Sequence, residues 1–202
     1  MTIKIPAPTF LPTGPGITFE RAEQLISMAE EREDDLDRKL LLGCATILTA
    51  IALEQFVNSQ LQLVALRYHE QNATPSFNPA AELLNQSLWQ RIRGAPEFSD
   101  VFPATLDTSI PESRTLRELI DLRNRLLHLT EKPFHIEIEV DLSTAEVLSI
   151  APSEDTPETV QDPWPDVAPA QARRCLHAAK LYWEDVAMAG VPDHVFTLLT
   201  PK

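Results

Sequence analysis

Cysteine is scarce in this chain: Cys44 and Cys175 are the only two in 202 residues, enough for at most one disulfide. Metal clusters and secreted disulfide scaffolds need more ligands or bridges than that, so a reducing, cytoplasmic setting is the expectation. There is no Walker loop, no GxGxxG, no GxSxG and no Cys or His pair at zinc spacing. These are the signatures of P-loop, dinucleotide, α/β-hydrolase and zinc chemistry, and without them no metal or other cofactor is expected. Long apolar runs are missing too. The opening MTIKIPAPTF has no apolar h-region, and the longest uncharged apolar run, residues 40–53, is 14 residues, whereas a membrane span takes ~20. The expectation is a soluble chain with no membrane partner.

Positive charge is also in short supply. Seventeen Lys and Arg stand against 30 Asp and Glu, a net charge of −13, which argues against a protein that grips nucleic acid over its whole surface. The acid is concentrated, however. Residues 20–38 hold eight acids and three bases, and residues 151–170 hold five acids and no base. The remainder is close to neutral, and residues 112–132 carry five bases and four acids, so a local anion site is compatible with the total.

With 44% hydrophobic and 23% charged residues, the chain can bury a core without staples, and its length fits one domain. Proline organises it. All 17 prolines avoid residues 16–74 and 112–132, and since proline breaks helix interiors, these windows are where long helices belong. Four prolines before residue 16 make residues 1–17 read as an extended arm, with the domain proper at 18–202. Thr18 caps a first helix, and a nearly continuous apolar helix follows over about 36–70. Asn78 before Pro79 opens a helix that Gly94 stops. Residues 95–111 connect, and a further helix spans about 113–130. The period then changes to two, with Phe134, Ile136, Ile138, Val140 and Leu142 alternating with polar residues, and residues 147–150 pair back to make a hairpin over 134–150. An acidic, proline-bearing loop, 151–169, leads to a last helix at about 170–189. The predicted fold is mainly α: an antiparallel bundle of four to five helices with a β-hairpin inserted before the last one.

Two of these helices carry polar residues inside their apolar stripe. At 100° per residue from Leu116, the leucines and isoleucine of the 113–130 helix cluster around zero, and Arg123 falls at about 340°, in the middle of them. Asn124 and His128 lie at one edge, with Arg117 and Asp121 beside them, and Arg125 points away. On the long helix, Glu54 and Asn58 fall among Ile47, Ile51, Leu61 and Ala65 in the same way. An unpaired buried charge costs several kcal/mol, so Arg123 and Glu54 are expected to pair. Two readings of that pair are open. It is a structural tie between helices, with His128 a histidine near a helix end, or it belongs to a polar cluster at a groove, where Arg123, Asn124 and His128 suit a phosphodiester. The other histidines, His69, His135, His177 and His194, are scattered, both cysteines read as inert, and Trp89, Trp164 and Trp183 read as packing residues.

The string DLRNRLLH, residues 121–128, matches the RNxxxH pattern of HEPN domains, and TAIALEQFVNSQL, residues 49–61, is similar to their earlier helix, in which a glutamate is followed four residues later by an asparagine. The resemblance covers roughly residues 18–130 and leaves the hairpin, acidic loop and last helix outside it. It implies a helical bundle that homodimerises around a shared cleft and, in many members, a metal-independent endoribonuclease acting as a toxin or phage-defence effector. On that resemblance Arg123, Asn124 and His128 are the catalytic residues. His128 serves as base or acid at the ribose 2′-OH, Arg123 stabilises the transition state, and Asn124 orients the phosphate. Glu54, Asn58 and Asp121 support them, and Arg117 and Arg125 contact RNA. Expected partners are a second copy of the chain, RNA, and an antitoxin or regulatory protein. The alternatives are a non-catalytic HEPN-like module that binds a nucleotide, RNA or a protein, and a plain helical interaction protein. The stripe from Leu116 to Leu127 is expected to lie partly in a dimer interface, which would bring Arg123 to a shared groove.

Overall fold

The computed structural model describes residues 13–71, 78–98, 103–127, 136–141, 146–152, 166–188 and 195–201. It is a mainly α fold with a β-hairpin before the last helix. Among the described residues there are six α-helices: α1 (Thr13–Glu30), α2 (Asp35–Gln71), α3 (Pro79–Leu84), α4 (Leu88–Gly94), α5 (Pro111–Leu127) and α6 (Pro169–Ala187). Four short strands accompany them, β1 (Ala104–Leu106), β2 (Ile136–Asp141), β3 (Glu146–Pro152) and β4 (Leu199–Pro201).

α2 is the axis of the fold, and every other helix packs on it. Its most apolar window has a mean hydropathy of 1.9, enough by length and composition to cross a membrane, and 56% of that window is buried inside the chain. This apolar stretch is longer than the uncharged run in the sequence suggests, because it continues through Glu54. Alanines at 22, 29, 45, 50 and 52 are fully buried, and such small side chains let helix backbones approach closely. Thr46 and Thr49, both 1% exposed, donate their hydroxyls to the carbonyls of Leu42 and Ala45 at 2.9 and 2.8 Å. Each buried hydroxyl is satisfied within its own helix.

Three expectations change. Residues 13–17 belong to α1 rather than to an extended arm; Pro15 lies in the helix's first turn, where its missing N–H breaks no helical bond, and residues 1–12 lie outside the described residues. The helix expected from Asn78 to Arg93 is two helices. Asn78 caps α3 as anticipated, accepting the Ala81 N–H at 3.1 Å, and its amide also donates to the Ala65 carbonyl at 3.0 Å. Ser87 then starts α4 anew with a capping box, its backbone N–H donating to Gln90 Oε1 at 3.1 Å while its hydroxyl accepts the Gln90 N–H at 3.4 Å. Gly94 has a packing role: a Cβ there would lie 2.5 Å from Leu83 Cδ2, so glycine lets the ends of α3 and α4 come together.

The third change is a second sheet. β1, from the segment expected only to connect, pairs antiparallel with β4 near the C-terminus, Thr105 opposite Thr200. Asp185 of α6, 2% exposed, clasps β4: its Oδ2 accepts N–H groups from Thr197, Leu198 and Leu199 at 2.9, 2.6 and 3.2 Å. The hairpin forms from β2 and β3 in antiparallel register, Ile138 opposite Ile150, with a bulge between Glu139 and Val140. Trp164 and most of the acidic loop, residues 153–165, lie outside the described residues.

Candidate functional site

The apolar stripe of α5 packs inside the chain. Leu116 and Leu119 are fully buried, with Leu122, Leu126 and Ile120 nearly so, because α2 and α6 cover that face. This corrects the expectation that the stripe lies partly between two copies; Leu127, 46% exposed, is its one exposed member. Arg123 escapes burial by its length. Its stem runs through the stripe and its guanidinium, with the side chain 25% exposed, reaches an open cleft of about 460 Å³ between α2, α4 and α5.

At that cleft Arg123 Nη2 donates to Glu54 Oε2 at 3.1 Å, and Nη1 donates to Asn124 Oδ1 at 3.0 Å. Glu54 does not serve Arg123 alone. Its other oxygen, Oε1, accepts from Arg91 Nη2 at 2.8 Å, and Arg91 Nη1 donates to Asn58 Oδ1. One carboxylate thus splints two guanidiniums on different helices, and the asparagine one turn on fixes the second. Each terminal nitrogen of the two arginines carries two hydrogens and uses one here, so each guanidinium keeps donors to offer. The Nε–H groups of both are buried without an acceptor among the described residues, an arrangement that costs stability instead of adding to it.

Ser87, Leu88, Trp89, Arg117, Ile120 and Asp121 complete the lining. Arg117 and Asp121 are exposed and hold no ion pair among the described residues. Three bases and two acids therefore face the cleft, a local balance opposite in sign to that of the whole chain. Arg125 is exposed and not part of the lining; it sits on the opposite side of α5. His128 lies outside the described residues.

Arg91 is the charged member that the sequence did not single out, and Trp89, expected only to pack, lines the cleft as well as packing against the core. Arg91 follows buried Leu88 by three residues and precedes buried Ile92, so its spacing alone puts it at the inward edge of α4. A glutamate has two oxygens, and a half-buried one invites a second donor; that was the available signal. No cluster of metal-binding side chains occurs among the described residues. The cysteines differ from one another. Burial, then the charge of Glu118, pushes the Cys175 thiol up to about 12, which keeps it protonated and unreactive, whereas Cys44 is exposed on α2, contrary to the apolar setting its neighbours suggest.

No protein-family model, curated protein or solved structure matches the chain.

Proposed function

We propose that the cleft is the catalytic centre of a metal-independent endoribonuclease of HEPN type, acting as a toxin or phage-defence effector. One observation carries the reading: Glu54 of the ExxxN string and Arg123 of the RNxxxH string, 69 residues apart in sequence, pair at one cleft, where Asn124 also meets Arg123 and Asn58 is tied in through Arg91. Accidental matches have no reason to converge on one opening.

The chemistry follows from the groups. The ribose 2′-oxygen attacks the adjacent phosphorus, the bond from phosphorus to the 5′-oxygen breaks, and the products are a 2′,3′-cyclic phosphate and a 5′-hydroxyl. One proton leaves the 2′-OH and one joins the departing oxygen, so the step needs no water. His128 handles these protons, as an imidazole titrating near neutrality can. Arg123, aimed by Glu54, donates its remaining hydrogens to the phosphoryl oxygens as charge builds there, and Arg91 offers a second donor across the cleft. Asn124 is held by Arg123 and orients the phosphate. The reading includes a homodimer, with RNA as substrate and an antitoxin or other regulator as restraint.

A second reading, a non-catalytic HEPN-like module that binds a nucleotide, RNA or a protein, draws on the same ion pairs, since Glu54 neutralises part of the charge that a transition state would need.

Expression of wild type beside His128→Ala and Arg123→Ala, scored for growth arrest and for RNA ends, tests the proposal. The expected result is arrest and cyclic-phosphate ends with wild type alone, with cleavage in each variant down at least a hundredfold. RNA left intact by wild type in every partner-free condition overturns the ribonuclease, and RNA bound but uncut leaves the second reading in its place.

A further inference from the structure

The two helical walls of the cleft differ in chemistry. The α5 wall is ionic, with Arg117, Asp121, Arg123 and Asn124, while the α4 wall adds an aromatic ring, Trp89, to Ser87, Leu88 and Arg91. Trp89 is half-buried: part of its indole packs against the hydrophobic core and part lines the cleft. Leu88 and Ile92, at 7% and 0% exposure, already supply the inward face of α4. Trp89 therefore adds aromatic surface to the lining of an ionic site, and its core contacts leave it little rotamer freedom to lose when something covers it.

Size and charge narrow what that is. About 460 Å³ is the room a nucleotide-sized ligand takes. In A-form RNA the bases are stacked on one another and their faces are hidden, whereas unpaired bases can splay and stack on a protein aromatic. A phosphate at Arg91 and Arg123 leaves the adjoining base within the same small opening as Trp89.

We propose that Trp89 is the stacking platform for the nucleobase next to the bound phosphate, and that the cleft thereby selects unpaired RNA. The proposal rests on the RNA-directed reading of this cleft. Because every base has a π face, the platform discriminates strand state and tolerates sequence.

The test uses the full chain and a 2′-O-methylated octanucleotide, which has no free 2′-OH to attack and stays uncut, offered single-stranded, annealed to its complement, and with abasic residues at successive positions. Wild type is expected to bind the single strand, to bind the duplex at least tenfold more weakly, and to lose affinity at one or two abasic positions. Trp89→Leu weakens single-strand binding roughly ten- to a hundredfold and becomes indifferent to the abasic positions, while Trp89→Phe keeps much of the affinity. On a cleavable strand, KM rises and kcat is largely retained. The abasic arm needs no variant, so it decides even if Trp89→Leu folds poorly. Equal affinity of wild type for single strand and duplex, or no sensitivity to any abasic position, overturns the platform. Single-strand selectivity and abasic sensitivity with no cutting of the cleavable strand sinks the ribonuclease and upholds the platform, and no binding of any RNA sinks both.

Discussion

Two sets of ion pairs tie this bundle together, and they are built for different ends. Along the seam of α1 and α6, Arg173 Nε reaches Glu30 at 2.7 Å and Lys180 reaches Glu23 at 2.8 Å. These are one-to-one pairs with the Glu23 side chain 50% exposed. At the cleft one carboxylate serves two guanidiniums, and the Arg91 side chain is only 13% exposed. Exposed pairs gain little, because water and salt screen them and two flexible side chains must be fixed. In the cleft the stems are already held by packing and screening is weak, so the geometry is stiff. The seam adjusts how two helices lie together. The cleft holds charge in a fixed shape at a place open to solvent, with two buried Nε–H groups left unmatched, which suits binding better than stability.

The sharpest way to break that contrast is Glu54→Ala. It removes the carboxylate that bridges two guanidiniums and leaves them facing each other. Removing one partner of a fully buried pair costs about 3–5 kcal/mol; partial exposure of Glu54 and Arg123 lowers this to about 2–3 kcal/mol, read as a shift in the urea midpoint at constant m-value. A loss below ~0.5 kcal/mol would place the cleft pairs in the same class as the seam. Arg91→Met, which removes the second charge along with its unmatched Nε–H, is expected to cost less.

Asp185 supplies an intermediate case, a buried carboxylate whose donors are backbone N–H groups of the C-terminal segment. Asp185→Ala strands those donors and is expected to cost about 1–3 kcal/mol, with faster amide exchange at Leu198 and Leu199 than elsewhere. Uniform protection across α6 and β4 in that variant would show that β1, not Asp185, holds the strand.

How much of this was legible in the sequence depends on the range of the signal. Period and proline placement gave α2, α5, α6 and the hairpin, because each is long enough for a pattern to repeat. The Arg123 contact with Glu54 followed from polar residues on an apolar face, a local signal at each end. Three-residue strands have no period to read, so the pairing of β1 with β4 left no trace. The break at residues 85–87 turned on whether Ser87 starts a new helix, and that depends on tertiary packing as much as on the Asn-Gln-Ser run. Arg91 was missed for the same reason, since α4 is oriented toward Glu54 by the break. The stripe on α5 was read as part interface because a sequence cannot say which of its own helices will cover it; α2 and α6 do.

The smallest expected effect belongs to the seam. Lys180, through its hydrogen bond and then its charge, holds the Glu23 carboxyl below the usual glutamate range. A carboxyl with a depressed folded-state pKa stabilises the fold above its unfolded pKa, and that stability is lost as pH falls through the folded value. Lys180→Ala should therefore cost less than ~0.5 kcal/mol at neutral pH, and the gap between variant and wild type should close between roughly pH 5 and pH 3. It should also shrink in 1 M salt, where charges are screened within a few ångströms, while the cost of Glu54→Ala persists. Melting curves of both variants across pH and salt check this directly. A Lys180→Ala deficit that survives high salt and low pH would mean that the lysine stem, packed between α1 and α6, contributes more than its charge, and the division between a screened seam and an unscreened cleft would then need to be redrawn around packing.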